Sequence, residues 1–193
     1  MLSVDEEGNI PTFFSASMLL FAAILLGIIR AFKQKVSNPY TFHWLSLAFV
    51  FLYLAFDEAA SIHELLIRPT RELIGAWATG IFYYAWVIPA MPMVIVLAFA
   101  YLRFWLHLPI RTRAFVFVAG LLYITGAIGI ELFGGRYAER HGIDNVTYSM
   151  IVSVEESLEM AGTILFVFAL LDYIERSLRE VRFQIVTLPK ENE

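Results

Sequence analysis

The stretch LIGAWATGIFYYAWVIPAMPMVIVLAFAYL, residues 73–102, contains no charged side chain. About 20 mostly apolar residues are enough to cross a lipid bilayer as a helix. Charges bound the stretch on both sides, with Arg71 and Glu72 before it and Arg103 after it. The stretch therefore predicts a transmembrane helix, which we place at 76–106.

The composition of the whole chain agrees with this prediction. Of the 193 residues, 59% are hydrophobic and 17% are charged, and the mean hydropathy is +0.68. A soluble domain has roughly 45–50% apolar and about 25% charged residues. The chain contains no cysteine, which excludes disulfides, thiolate metal sites and thiol nucleophiles. We expect a lipid bilayer around the protein and no nucleic-acid partner.

Four further apolar segments extend the pattern on both sides of this stretch. They cover residues 13–32, 42–67, 114–134 and 147–173. The fold predicted is an all-α, polytopic membrane helix bundle with five transmembrane helices, formed by residues 1–193 as a single unit. Residues 176–193 form a mixed-charge tail.

Lysine and arginine set the orientation, because cytoplasmic loops of membrane proteins are enriched in them. With the N-terminus outside, the inner loops and tail receive ten of these residues and the outer loops receive four. The outer four are Arg68, Arg71, Arg136 and Arg140. The predicted arrangement is N-out/C-in, with a cytoplasmic tail, in the plasma (inner) membrane of a bacterium.

Acidic residues interrupt these spans at a common depth. Asp57 and Glu58 fall in the outer half of the second span, Glu131 near the outer end of the fourth, and Glu155 and Glu159 in the outer half of the fifth. At about 1.5 Å per helical residue, Asp57 and Glu155 lie at matching levels. Ionisable groups at membrane depth usually face the protein interior and usually have a function.

Helical spacing indicates where two of these groups of side chains point. Asp57, Ser61 and Glu64 follow an i, i+4, i+7 stripe on the second span. The glutamates of VEESLEM fit within about 100° of one face of the fifth span, and Thr163 continues that face. The two stripes predict that carboxylates converge on one volume.

Converging carboxylates in a poorly hydrated site need a positive partner, because like charges and burial both disfavour ionisation. A divalent metal ion is the simplest partner, and a carboxylate-rich set with one histidine suits Fe, Mn or Zn, or Ca with fewer histidines. The predicted metal ligands are Asp57, Glu58, His63, Glu131, Glu155 and Glu159. The side chains predicted to surround and support them are Ser61, Glu64, Tyr83, Tyr84, Glu156 and His141.

Three functional classes remain open. The first is a membrane metalloenzyme, redox or hydrolytic, with a lipid-soluble or small-ion substrate. The second is a cation or proton transporter or channel that uses the same acids as a vestibule. The third is a non-catalytic accessory subunit of a membrane complex, and a homo-oligomer is compatible with each class.

Two other residue types have structural interpretations. Trp44, Trp77, Trp86 and Trp105 lie near predicted span ends and are typical of interfacial anchors. The glycines are expected to permit close helix packing; they are Gly120, Gly126, Gly129 and Gly162.

Overall fold

The fold is all-helical, with five helices long and apolar enough to cross a membrane, as the sequence predicts. A computed structural model gives the structure of residues 10–177. The predicted tail therefore lies almost entirely outside the described residues. The structure contains no membrane, so the N-out/C-in orientation stays a prediction.

The helices follow one another with short connections. The α-helices are α1 (Ile10–Lys35), α2 (Thr41–Ala60), α3 (Ile67–Ile74), α4 (Val87–His107), α5 (Ile110–Ile124), α6 (Glu131–His141) and α7 (Val146–Ser177). Three 3₁₀ turns occupy Ile62–Leu66, Gly75–Trp77 and Gly80–Phe82, and a π-helix occupies Thr125–Ile130. Because the π-helix joins α5 to α6, the fourth span runs continuously from Ile110 to His141.

The α1–α2 turn shows how the sequence ends one helix and begins the next. Lys33 and Lys35 lie in the last turn of α1, where positive charge is favourable, and Ser37 takes a left-handed conformation at φ 50°. The side chain of Asn38 then accepts a hydrogen bond from the backbone N–H of Tyr40 at 2.9 Å. This compact turn returns the chain directly into α2.

Three predicted span boundaries are wrong. The fourth span ends at His141 rather than at 134, and the other two errors concern the segment between α2 and α4. The second span ends at Ala60 rather than near 67, because Ser61 is left-handed at φ 45° and stops the helix. The third span begins at Val87 rather than at 76. The chain between them forms short helices and turns outside the spanning helices.

The centre of the bundle is formed by α1 and α7, which are the most buried spanning helices. Gly162 of α7 allows a close crossing with α5, since an added Cβ would lie 2.8 Å from the carbonyl oxygen of Ala119. The apolar core lies toward the end of the bundle where α1 finishes, around Leu26, Ile29 and Leu170. Trp44 belongs to this core at 2% exposure, so its predicted role as an interfacial anchor is wrong.

The two ends of the bundle differ in charge. We call the end where α2 finishes and α7 begins the acidic end; it holds Asp57, Glu58, Glu131, Glu155 and Glu159. We call the opposite end the basic end; it holds Lys33, Lys35, Arg111, Arg113 and Arg176.

Candidate functional site at the acidic end

Asp57 and His63 form a hydrogen-bonded pair at the end of α2. The backbone N–H of His63 donates to Oδ1 of Asp57 at 2.6 Å, and Nδ1 of His63 lies 3.0 Å from Oδ2. The left-handed Ser61 makes this possible, because it folds the following 3₁₀ turn back over α2. Ser61 therefore supports the site through its backbone conformation.

The same break in the helix places Glu64 away from the predicted stripe. Its side chain is exposed, and it interacts with His63 and Glu131 only through its charge. The predicted stripe of Asp57, Ser61 and Glu64 is wrong, because it assumed an unbroken helix through residue 64.

The charge environment of His63 favours its protonated form. Burial alone lowers the pKa of His63, but the hydrogen bond with Asp57 and the negative charges of Asp57, Glu131 and Glu64 outweigh burial. The net result raises the pKa of His63 above its ordinary value of 6.5.

Trp86 connects this pair to Glu131. Its indole Nε1 donates to Oε1 of Glu131 at 2.7 Å, and its ring centroid lies 4.6 Å from that of His63. Sequence reasoning treated Trp86 as an interfacial anchor and missed this contact. The only sequence signal is its position inside the charge-free run 73–102, which does not reveal a partner.

Glu131 begins α6 directly after the π-helix, and its carboxyl group interacts electrostatically with that of Glu155. The π-helix packs on α7 at the same level. An added Cβ on Gly126 would lie 2.8 Å from the carbonyl oxygen of Glu155 and 2.8 Å from Cγ of Glu159. The close approach of these two elements therefore depends on the absence of a side chain at 126.

Glu159 interacts electrostatically with acids from other helices. Those on other helices are Glu58, Glu131 and Asp57, and Glu156 on α7 itself adds to them. Four residues after Glu159, Thr163 is 2% exposed, and its hydroxyl has no hydrogen-bond partner among residues 10–177. A buried polar group without a partner is unusual in a folded protein.

Two contacts with the acids were not predicted. Ser15 of α1 is buried and hydrogen-bonds to Glu58, so the first helix also contributes to the acidic end. Tyr123 of α5 interacts electrostatically with Glu159, Glu58 and Asp57. Nothing in the local sequence around Ser15 indicates its partner, since the contact depends on how α1 packs against α2.

Tyr83 and Tyr84 lie before α4 rather than inside the third span. The phenol oxygen of Tyr84 is 2.7 Å from that of Tyr148 on α7, and burial together with this hydrogen bond raises the pKa of Tyr84 well above 10.0. Tyr84 therefore remains a neutral hydrogen-bonding phenol. The carbonyl oxygen of Tyr83 accepts a hydrogen bond from the guanidinium of Arg71.

His141 is the predicted residue that the structure leaves apart from the acids. It is exposed at the end of α6, its ring stacks on Tyr137 with centroids 4.5 Å apart, and Nδ1 lies 3.3 Å from the Tyr137 carbonyl oxygen.

The acids therefore meet as neighbouring pairs. Within residues 10–177, no three His, Asp or Glu side chains are arranged so that they could hold a metal ion. In the same residues, none of the five carboxylates of Asp57, Glu58, Glu131, Glu155 and Glu159 forms an ion pair with lysine or arginine. The basic side chain that contacts one of these carboxylates is His63, which lies 3.0 Å from Asp57 and is positive when protonated.

Comparison with known proteins gives a family for the chain. No curated protein and no solved structure matches it. One family model matches residues 1–174, which include all of the spanning helices except the last residues of α7. The chain belongs to the family described as Domain of unknown function (DUF8692).

Proposed function

We propose that this chain is an integral membrane protein that binds a divalent metal ion at its acidic end, on the outer side of the membrane. The observation that carries the proposal is the set of five carboxylates that interact with one another and lack lysine or arginine partners among residues 10–177. Repulsion among such groups in a low dielectric is relieved when a cation joins them.

The donor types favour a particular class of metal. Carboxylate oxygens with one imidazole suit Fe, Mn or Zn, and carboxylates alone suit Ca. In this site Glu131, Glu155 and Glu159 would provide oxygen ligands from one side of the metal. Asp57 and His63 would provide an oxygen and a nitrogen ligand from the other side. The neighbouring pairs would have to rearrange by side-chain rotation to form one ligand set.

Two further groups support a reactive role for the metal. The unpartnered hydroxyl of Thr163 lies one turn beyond Glu159 and would hydrogen-bond to a ligand or to metal-bound water. Tyr84 provides a neutral phenol between the acidic end and the segment before α4. A metal in this position could activate water or a redox substrate delivered from the lipid phase.

Metal content tests the proposal directly. Protein purified without chelator and analysed for metals should contain a stoichiometric divalent ion, and the Glu155→Gln/Glu159→Gln double variant should lose it. Glu72→Gln is the matched control, because Glu72 is an exposed glutamate paired with Arg68 on α3. Metal-free protein whose thermal stability does not change in the double variant would exclude the metal site.

A second candidate is proton or cation movement, favoured by the adjacent carboxyl groups of Glu131 and Glu155. Two carboxyl groups that hydrogen-bond to each other hold one proton between them. Protein reconstituted in liposomes should then carry an ion flux that Glu131→Gln abolishes and Glu72→Gln retains. A flux without bound metal would favour this function over the first.

A further inference from the structure

The basic end of the bundle contains a pocket of about 200 Å³. It lies where the α1–α2 turn, the α4–α5 turn and the last turns of α7 meet. Its polar side chains include Lys33, Asn38 and His107, and its walls include Trp44 and Phe104. The pocket is independent of the acidic end and of the function proposed for it.

Lys33 gives the pocket a positive charge without an acidic partner. Its Nζ lies 5.1 Å from the ring centroid of Tyr173, which also lines the pocket, and Lys33 forms no ion pair within residues 10–177. The nearest buried acid along α7 is Asp172, but Arg111 and Arg176 pair with it at 3.3 Å and 3.0 Å. The charge of Lys33 therefore remains available.

Two helix N-termini add to the positive potential. Tyr40 and Pro109 line the pocket, and they immediately precede α2 and α5. Among the described residues, the N-cap side chains of Tyr40 and Pro109 form no capping hydrogen bond. Asn38 already accepts from the N–H groups of Tyr40 and Thr41, so in α2 the next N–H groups are the ones that can meet a ligand. Free helix N-termini favour anions, and phosphate groups in particular.

The walls indicate what accompanies the anion. The ring of Tyr40 lies 4.7 Å from that of His107, and the ring of Trp44 lies 4.8 Å from that of Phe104. Aromatic residues with polar edges are typical of the interface between lipid chains and headgroups. A volume of about 200 Å³ holds a headgroup, while acyl chains would have to run along the exposed apolar surface of α4.

We propose that this pocket binds an anionic phosphate group, contributed by a lipid headgroup at the membrane surface. Lys33 would form the ion pair, the N-termini of α2 and α5 would orient the phosphate oxygens, and the aromatic walls would contact the glycerol. Free phosphate shares this chemistry and is the other possible source.

Ligand-dependent thermal unfolding of the full-length protein in a neutral detergent tests the proposal. Dihexanoyl phosphatidylglycerol should raise the unfolding midpoint saturably, and dihexanoyl phosphatidylcholine should not. Lys33→Gln should raise the half-saturating lipid concentration about fivefold, because loss of one basic group near an anionic lipid weakens binding by about that factor. Lys33→Arg should retain binding, and Lys35→Gln is the control, because Lys35 is exposed and does not line the pocket.

Each outcome decides the proposal. Saturable stabilisation by inorganic phosphate at the same concentrations, lost in Lys33→Gln, would assign the pocket to free phosphate. Equal stabilisation by both lipids, or equal losses in Lys33→Gln and Lys35→Gln, would overturn the phosphate pocket. If Lys33→Gln proves unstable, Lys33→Met takes its place, because it keeps an unbranched apolar side chain and removes the charge. Unchanged stabilisation by dihexanoyl phosphatidylglycerol in Lys33→Met would then overturn the proposal.

Discussion

At the scale of the residue, Asp57 has two roles at once. One carboxylate oxygen holds the backbone of the 3₁₀ turn and the other holds the ring of His63. Because the pKa of His63 is raised in the folded state, the folded protein binds more protons than the unfolded chain above pH 6.5. The stability that comes from this pair is therefore fully present at lower pH and decreases as the pH rises through the raised pKa.

This sign predicts a specific pH dependence. In chelator-treated protein, the thermal unfolding midpoint should fall as the pH rises from 6 toward 8, and Asp57→Asn should flatten that slope. At pH values below the raised pKa of His63, the Asp57→Asn variant should also lose about 1–3 kcal/mol of unfolding free energy, because it removes a hydrogen bond to a charged group. An unchanged slope in Asp57→Asn would show that the charge of Asp57 does not control His63.

Trp86 provides a second prediction at this scale. Trp86→Phe keeps an aromatic ring against His63 but removes the donor to Glu131, and it should reduce the unfolding free energy by about 1–3 kcal/mol. The control is Trp77→Phe, because Trp77 is 80% exposed. Equal effects of the two substitutions would mean that the indole N–H of Trp86 contributes little.

The sequence predicts candidate site residues where residue type is sufficient to identify them. It does not predict contacts that depend on how the helices pack. Acids inside apolar segments identify Asp57, Glu131, Glu155 and Glu159 as candidates, whatever the exact helix boundaries. Trp86 was not predicted as a site residue, because an indole near a span end is typical of an interfacial anchor. Its partner Glu131 lies 45 residues away in the chain.

At the scale of the element, the π-helix at Thr125–Ile130 sets how closely the fourth span approaches α7. π-Helical turns inside α-helices are rare overall, and those that occur are often found at functional sites. Here the turn brings Gly126 against the backbone of Glu155 and the side chain of Glu159, immediately before Glu131. It thereby controls the spacing of acids on two helices.

Gly126→Ala should therefore disturb the acidic end. The added methyl group would lie 2.8 Å from a backbone oxygen, so the helices must move, and overpacking of this kind lowers stability by about 1–3 kcal/mol. Metal binding should weaken in the same variant. In Gly120→Ala, where the new methyl group meets no atom within 4 Å, both properties should remain unchanged.

Helix number was predictable at this scale, whereas helix ends were not. Hydropathy finds five spans because each needs a long apolar run. The end of α2 depends instead on the left-handed Ser61 and on the hydrogen bonds of Asp57, which hydropathy does not detect. Of the four glycines predicted to permit close packing, Gly126 and Gly162 do so, while Gly120 faces open space.

At the scale of the whole molecule, α4 contacts the other helices mainly through long side chains. The hydroxyls of Tyr101 and Ser46 lie 2.7 Å apart, Phe104 packs on Trp44, and Trp86 just before α4 bonds to Glu131. Much of the surface of α4 is exposed and apolar, as expected for a helix that faces lipid.

The predicted orientation belongs to this scale and can be tested because the chain contains no cysteine. In intact cells, Asp144→Cys in the α6–α7 connection should react with a membrane-impermeant maleimide, and Gln34→Cys at the end of α1 should react only after lysis. Both positions are exposed. The reverse pattern would place the acidic end in the cytoplasm.

One helix, α7, runs through both ends of the molecule without interruption. Glu155 and Glu159 lie near its beginning, and Tyr173 lies beside the pocket near its end. From Glu155 to Tyr173 the rise along the axis is about 27 Å. If the acidic end binds a cation as proposed, any axial displacement of α7 on binding would therefore also move Tyr173 at the opposite end of the bundle.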